Sequence, residues 1–269
     1  MLFPDLYLAI EKERMVKLSV TIITYNEERY IGQCLESVKD IADEIIVVDS
    51  LSTDATKEIC LRYNVSFIAQ PFLGYVEQKN FALAQASNQY VLSMDADEAL
   101  SPELKISILN EKEKGFPMDG YTMNRLNFYC GKWIRHGIYY PDRKLRLLNK
   151  GKGQWGGRNP HDTIVMQKDS SVGWLKGDLL HYIFQSDKEH IQKMRVFSRI
   201  AAESLYKENK SKNKAYLKVI FGPVWAFIKS YIVKLGFLDG RQGWLIAKND
   251  AFYVFSKYKK LIQLYRLNT

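Results

Sequence analysis

Residues 18–100 alternate between short apolar, β-branched runs and stretches whose apolar residues recur at helical spacing. The apolar runs predict four strands, over residues 18–24, 44–48, 65–69 and 90–94. Between the strands, three helical segments are predicted, the first capped by Asn26, the second ending at about Tyr63, and the third covering 75–86. Strands that alternate with helices are typical of βαβ units. The pattern therefore predicts an α/β fold in which helices flank a Rossmann-like, mostly parallel sheet.

Polar side chains follow three of these strands at their carboxyl ends. Tyr25 and Glu27 follow the first, Asp49 ends the second, and Asp95 and Asp97 follow the fourth. Open parallel sheets bind ligands outside the carboxyl ends of their strands. Mg²⁺ and Mn²⁺ prefer oxygen ligands, and Mg²⁺ takes one or two carboxylates together with phosphate and water. The acidic D-x-D motif is weak alone, but its place after an apolar strand predicts a metal and nucleotide site.

Four motifs in this region occur in a fixed order. They are Val20–Glu28 (VTIITYNEE), Ile45–Asp54 (IIVVDSLSTD), Gln78–Asn80 (QKN) and Met94–Glu98 (MDADE). In order and spacing they resemble family 2 glycosyltransferases, which have the GT-A fold and invert the anomeric carbon. The resemblance implies that a nucleotide-sugar donor, in particular a UDP-sugar, is used together with Mn²⁺ or Mg²⁺.

The same resemblance assigns roles to the strand-end residues. Tyr25, Glu27 and Asp49 would contact the nucleoside, and Lys79 would lie near the base, ribose or phosphate. Asp95 would bind ribose or metal, and Asp97 would be the principal metal ligand. The bound metal would offset charge on the departing diphosphate.

Residues 154–163 form a second candidate site, predicted as an irregular loop with a Trp, small residues and a carboxylate. Transfer needs a base that takes the proton of the acceptor hydroxyl. We predict Asp162 as this base and His161 as its orienter, with Trp155 and Arg158 binding the acceptor. The segment resembles the W-x-G…H-[ED] stretch of enzymes that build the lipopolysaccharide inner core, which usually have Val-His-Glu where this chain has Pro-His-Asp.

Several of these residues also have a simpler structural interpretation. Asp49 could serve only as a cap, and Lys79 could be an exposed helix residue. His161 and Asp162 could form a hydrogen-bonded loop pair without a proton role. His181 could complete the metal shell, but a core histidine fits the sequence equally well.

The net charge of +9 is concentrated at one end of the chain. Residues 195–269 hold 15 Lys and Arg against 4 Asp and Glu, and the remainder holds 24 against 26. Within this segment, the apolar run 219–228 is about half the length that spans a bilayer, and Pro223 interrupts it. Basic residues that flank aromatic ones are typical of an interfacial helix, although a packing helix with a solvated basic side is the alternative.

The tail extends the resemblance. Residues 223–231 and 236–243 resemble the carboxyl-terminal part of bacterial lipopolysaccharide-core heptose glucosyltransferases. The resemblance implies a glycan or lipid-linked acceptor, and an enzyme peripheral to the cytoplasmic face of the inner membrane that binds no nucleic acid. Three widely spaced cysteines without a C-x-x-C pair also favour a reducing, cytoplasmic compartment.

These features predict three regions. Residues 1–17 form an extension, for which no signal peptide is predicted. Residues 18–187 form the catalytic domain, with a nucleotide-sugar half (18–100) and an acceptor half (101–187), and residues 188–269 form the basic helical tail. Glycines 151, 153 and 156 match G-x-G-x-x-G, but a loop follows them where a dinucleotide site needs a helix.

Two other functions remain open at this point. A sugar-1-phosphate nucleotidyltransferase shares the layered fold, but needs a Gly-rich basic loop after the first strand, where this chain has TYNE. A basic nucleic-acid-binding or membrane-binding protein on a degenerate fold would show salt-sensitive RNA binding without affinity for a UDP-sugar.

Overall fold

A computed structural model describes residues 16–158, 161–208 and 211–267, so the predicted extension lies almost wholly outside the described residues. The described chain divides into two compact units. The first contains the residues up to Arg125 together with Arg143–His181, and the second contains Leu126–Asp142 and the residues from Tyr182 onwards.

A mixed sheet organises the first unit. Its strands are β1 (Leu18–Thr24), β2 (Glu44–Asp49), β3 (Ser66–Ala69), β4 (Tyr90–Asp95), β5 (Glu98–Leu100), β6 (Gly120–Tyr129), β8 (Asp142–Asn149) and β11 (Val172–Phe184). They are ordered β3-β2-β1-β4-β8-β6-β11-β5. The short strand β7 (Lys132–Ile134) pairs with residues 127–129 of β6, inside the second unit. Strands β3, β2, β1 and β4 are parallel, which confirms the predicted α/β class. Strands β9 (Gly153–Arg158) and β10 (His161–Met166) form a separate antiparallel hairpin.

Both faces of the parallel strands are covered by helices. Helix α1 (Ile31–Val38) buries its apolar stripe against one face of the sheet, and α3 (Tyr75–Gln85) packs against the other. Alternate residues of β2 divide between the two cores, with Val47 facing α1 and Val48 facing α3. Two further helices, the short α2 (Thr56–Cys60) and the longer α4 (Pro102–Glu113), complete the unit. The continuous apolar character of these strands therefore reflects burial on two sides.

The second unit is mainly helical. Its long helices are α5 (Asp187–Lys207), α6 (Lys212–Ile228) and α7 (Arg241–Leu267), and a π-helical turn (Lys229–Val233) prolongs α6. Gly243 packs so closely that a Cβ there would lie 1.8 Å from the carbonyl oxygen of Gly236. This contact explains why the predicted tail motif needs glycine at its end.

Three predictions about local structure are corrected, and strands are found in a region where none was predicted. Helix α1 begins at Ile31 without a side-chain cap, because the Asn26 side chain accepts a hydrogen bond from the Thr53 backbone N–H at 2.8 Å instead. Residues 120–184, which lack clear alternation, contain strands β6–β11. Residues 154–163 contain paired strands where an irregular loop was expected. Pro223 lies inside α6 and does not interrupt it.

The continuity of α6 also changes the estimate of its apolar length. Lys212–Val233, 22 residues, is long and apolar enough to cross a membrane by length and composition alone. Only 6% of the most apolar 18-residue stretch of this helix is buried inside the protein.

Candidate active site

The polar ends of β1, β2 and β4 lie at one edge of the sheet. In the parallel register, Thr24 of β1 pairs with Asp49 of β2, and Ile23 pairs with Asp95 of β4. Tyr25 follows β1 directly and is 58% exposed. The predicted convergence of Tyr25, Asp49 and Asp95 at this edge agrees with the structure.

Asp49 organises the loop that follows its own strand. Its side chain is buried and accepts hydrogen bonds from both the backbone N–H, at 2.8 Å, and the hydroxyl of Ser52. The backbone N–H of Glu27 donates to the Thr56 hydroxyl at 2.8 Å, which ties the loop after β1 to the start of α2. Helix α2 begins after Ala55 without a side-chain cap, so Asp49 does not cap it, and its hydrogen bonds stay within the loop after β2.

Lys79 joins the acidic motif after β4 to the predicted base on β10. Its ammonium lies 3.0 Å from Asp95 Oδ1 and 2.7 Å from Asp162 Oδ2. The Lys79 side chain is only 4% exposed, so the interpretation as an exposed helix residue is wrong. Because the group is withdrawn from water, the two ion pairs are stronger than surface pairs, and breaking one costs more.

Two residues to which the sequence analysis assigned no role complete this cluster. Arg146 on β8 is buried, and its Nη2 lies 3.1 Å from Asp95 Oδ2 and 2.7 Å from Glu98 Oε1. Glu98 in turn accepts a hydrogen bond from the Asp95 backbone N–H at 3.0 Å, and Arg125 Nη1 lies 3.7 Å from its Oε1. Glu98 stands in the quoted MDADE motif, but nothing in the sequence separates Arg146 from the many surface arginines.

The cluster fixes the charge of its members. Burial alone raises the pKa of a carboxyl group, but the charges of Lys79 and Arg146 outweigh it and hold the pKa of Asp95 well below its usual range. Burial lowers the pKa of Arg146, but Glu98 and Asp95 outweigh it and raise that pKa above its ordinary value. Asp95 is therefore ionised throughout the neutral range, with both carboxylate oxygens near cations.

The Gln78–Asn80 motif links α3 to three parts of the site. Gln78 Nε2 donates to the Ser50 hydroxyl at 3.1 Å, in the loop after β2. Asn80 exchanges two hydrogen bonds of 2.9 Å with the backbone of Trp155 on β9. Lys79, between them, holds Asp95 and Asp162. Three successive residues thus align the nucleotide-side loops with the β9–β10 hairpin.

Trp155 differs from its prediction as an acceptor platform. Its ring is buried, and its Nε1 donates to the Ser93 hydroxyl at 3.2 Å. The Lys79 ammonium lies 4.3 Å and the Arg146 guanidinium 5.2 Å from its ring centroid, both within range of cation–π attraction. The expectation of a stacked sugar is corrected, because the ring instead packs under the two cations of the cluster.

Asp97 and His181 form a second polar pair. Asp97 Oδ2 lies 3.4 Å from His181 Nε2, and both side chains are partly exposed. Among the described residues, no three His, Cys, Asp or Glu side chains are grouped to hold a metal by themselves. A Mg²⁺ or Mn²⁺ site with one or two protein ligands and phosphate oxygens fits this pair. Asp95 fits a metal less well, because Lys79 and Arg146 contact its oxygens.

The remaining predicted residues lie on the hairpin. Arg158 and His161 pair through their backbones at its end, and Asp162 is opposite Gly157. The side chains of Arg158 and His161 lie outside the described part of the structure, so their predicted roles remain predictions.

Comparison with known proteins defines the class. Residues 19–171 match the model of glycosyl transferase family 2, which covers more than half of the chain. The chain therefore belongs to this family and is a glycosyltransferase.

Two similar proteins are named as glycosyltransferases, and one solved structure aligns with nearly the whole chain. An uncharacterized glycosyltransferase of Rickettsia typhi is 32% identical over 263 residues, 94% of this chain and 88% of the relative. The lipopolysaccharide core biosynthesis glycosyltransferase LpsC of Rhizobium meliloti is 31% identical, with 93% of each chain covered. Among solved structures, S. aureus TarS 1-349 in complex with UDP aligns with a TM-score of 0.48 and 19% identity, over 94% of this chain and 92% of that one.

Proposed function

We propose that this glycosyltransferase is inverting and uses a divalent metal to transfer a hexose, such as glucose, from a UDP-sugar to a cell-envelope glycan. The observation that carries the proposal is the Lys79 ammonium, which joins Asp162 at 2.7 Å to Asp95 at 3.0 Å. A carboxylate that suits a base is thereby held beside the acidic end of the strand where family members bind their donor.

The donor nucleoside is assigned to the loops after β1 and β2. The exposed ring of Tyr25 can stack on the base, and Glu27 and Asp49 can accept hydrogen bonds from base or ribose hydroxyls. Asp95 is assigned to the ribose, and Lys79 is near enough to the acidic motif to contact the diphosphate. These roles are supported by the shared strand edge of Asp49 and Asp95.

Asp97 and His181 are proposed to hold the Mn²⁺ or Mg²⁺ ion. A metal held by these two residues would supply Lewis-acid chemistry that offsets the charge of the leaving diphosphate. The 3.4 Å separation of Asp97 Oδ2 and His181 Nε2 supports the assignment.

Asp162 is proposed to take the proton of the acceptor hydroxyl. The acceptor oxygen then bonds to the anomeric carbon while the bond from that carbon to the diphosphate oxygen breaks. Attack and departure on opposite faces invert the carbon. Lys79 holds the Asp162 carboxylate in position before the acceptor arrives, and His161 is proposed to orient it.

The acceptor is proposed to be a lipopolysaccharide-core or related lipid-linked saccharide at the cytoplasmic face of the inner membrane. The name of the similar LpsC protein and the basic tail support this class of acceptor. Arg158 is proposed to bind it.

A donor screen tests the proposal. UDP-glucose, other UDP-sugars and GDP-sugars are incubated with the full chain, with and without Mn²⁺, and the released nucleotide is measured. We expect metal-dependent UDP release from a UDP-hexose, reduced about 100-fold or more in Asp97→Asn. The exposed Asp169→Asn variant is the matched control and should behave as wild type. Undiminished metal-dependent release in Asp97→Asn contradicts the metal assignment. Pyrophosphate formation from UTP and glucose-1-phosphate would favour a nucleotidyltransferase.

A further inference from the structure

The second unit presents an apolar surface on one side of α6. We call it the α6 ridge. It consists of Leu217, Ile220, Phe221, Val224, Trp225, Ile232 and Val233, each between 54% and 65% exposed. Their spacing of three and four residues places most of them on one side of the helix. Single exposed apolar residues are ordinary, but a continuous group of this kind marks an interaction surface.

The opposite side of α6 packs within the same unit. Ala215 is buried with Leu261 and Ile262 of α7, and Val219 packs against this cluster. A Cβ on Gly222 would lie 2.9 Å from a methyl of Val254 on α7. The small residues of α6 therefore face the protein and its bulky apolar residues face outwards. A surface helix of a soluble protein has the reverse arrangement, with polar residues outside.

The charges on α6 and on the segment that follows it to residue 238 are all of one sign. Lys212, Lys214, Lys218, Lys229 and Lys234 are exposed, and residues 211–238 contain no Asp or Glu. A second copy of the same surface would bring these lysines into repulsion. A nucleic acid would satisfy the lysines but would leave the apolar side chains unused. An anionic lipid bilayer satisfies both, because it offers negative headgroups over an apolar interior.

We propose that the α6 ridge is the surface by which the enzyme docks on an anionic lipid bilayer, with α6 lying along the interface. A 22-residue helix is about 33 Å long and could span a membrane. Packing of one side against α7 and the lysines of its first turns favour an interfacial position. The inference rests on the membrane location proposed above and names the surface and the lipid charge that produce it.

Vesicle co-sedimentation of the full chain tests this docking. Wild type is mixed with phosphatidylcholine vesicles that either contain or lack phosphatidylglycerol. The ridge variant Ile220→Glu/Trp225→Glu is compared with Ile106→Glu/Trp174→Glu, which changes the same residue types at sites in the first unit that are 59% and 50% exposed. We expect wild type and the control to sediment with the anionic vesicles, and the ridge variant to bind roughly 100-fold more weakly.

A second variant tests the charge independently of the apolar residues. Lys212→Gln/Lys214→Gln/Lys218→Gln should weaken binding about tenfold or more at low salt. The control Lys57→Gln/Lys152→Gln/Lys168→Gln, made at exposed lysines of the first unit, should bind as wild type.

Either of two lipid-binding results would overturn the inference. One is that wild type remains in the supernatant with anionic vesicles. The other is that the ridge variant and the lysine variant both bind as well as their controls. A dimer in sedimentation velocity that dissociates in Ile220→Glu/Trp225→Glu, without any lipid binding, would assign the ridge to a second copy. UDP release without vesicles should stay within about twofold of wild type in every variant, because surface substitutions away from the site perturb little. Failure of lipid binding is thereby distinguished from failure of the proposed chemistry.

Discussion

The Lys79 ammonium and the Asp162 carboxylate lie 2.7 Å apart, although 83 residues separate them in the chain. The same ammonium is 3.0 Å from Asp95 Oδ1, so one cation connects the end of a parallel strand to a separate hairpin. Because the ammonium is buried, its removal leaves Asp162 without its charge partner, and the contact also places Asp162.

Removing the Lys79 charge should therefore damage both folding and turnover. For Lys79→Met we expect a loss of about 2 kcal/mol in the free energy of unfolding, less than for an isolated buried pair because Arg146 still neutralises Asp95. Guanidinium-induced unfolding of wild type and Lys79→Met measures this change in the free energy of unfolding. Lys176→Met, at an ion pair that is exposed on both sides, should change stability by less than about 0.5 kcal/mol. An equally small effect for Lys79→Met would show that the buried ion pairs contribute nothing to stability.

Arg146 should not be replaceable by lysine. Its guanidinium contacts both Asp95 and Glu98, and lysine lacks the planar fork that reaches two carboxylates. We expect Arg146→Lys to lower UDP release by about tenfold or more, and Arg146→Met to lose about 3 kcal/mol of stability. Arg143→Lys, at an exposed position of the same strand, provides the comparison. Full activity in Arg146→Lys would mean that the second contact has no influence on the site.

Trp155 should behave as a core residue in mutational tests. Trp155→Ala is expected to lose about 3 kcal/mol or more of stability, because it leaves a cavity under Lys79 and Arg146. Trp174→Ala, at a Trp that is 50% exposed, should cost much less. Thermal unfolding and acceptor KM are measured together. A rise in acceptor KM with unchanged stability would instead restore Trp155 as an acceptor platform.

The second unit should lose stability in mild acid through His190. Nδ1 of this buried ring is hydrogen-bonded to the Tyr129 hydroxyl at 3.0 Å. Burial lowers the pKa of His190 to about 4. In the unfolded chain the pKa of histidine is about 6.5, so between these values the unfolded state binds more protons and stability falls as pH falls. From pH 7 to pH 4.5 this contributes a loss of about 2 kcal/mol.

His190→Gln removes that contribution from the pH dependence. Unfolding free energies at the two pH values should therefore differ less for His190→Gln than for wild type, and His136→Gln serves as the control. Identical pH dependence in wild type and His190→Gln would contradict the assignment.

The parallel half of the fold was predictable from local pattern. Strands β1 to β4 and helix α3 match their predicted ranges closely, because burial on both faces leaves long apolar runs such as 18–24 and 44–48. Strands β6–β11 were not predicted, because residues 120–184 show no clear alternation of apolar and polar residues. Gly153–Arg158 holds two further glycines and pairs with a single neighbour, so its strand character depends on the hairpin partner.

The candidate site was predictable only as far as its residues stand in ordered motifs. Tyr25, Asp49 and Asp95 follow apolar strands, which local pattern reveals. Arg146 reaches Asp95 across 51 residues, and the buried Trp155 ring donates to Ser93, 62 residues away. Contacts of this range depend on the packed fold, so a carboxylate's partner or an aromatic ring's exposure could not be inferred from local sequence.

The turnover of Asp162→Asn, measured as UDP release from the preferred UDP-sugar at saturating Mn²⁺, tests the central claim most directly. UDP affinity is measured on the same preparations, since the amide keeps the shape of the side chain but cannot take a proton. The account predicts turnover lowered by about 100-fold or more and UDP affinity within about threefold of wild type. Wild-type turnover in Asp162→Asn, or a loss confined to UDP affinity, would contradict it.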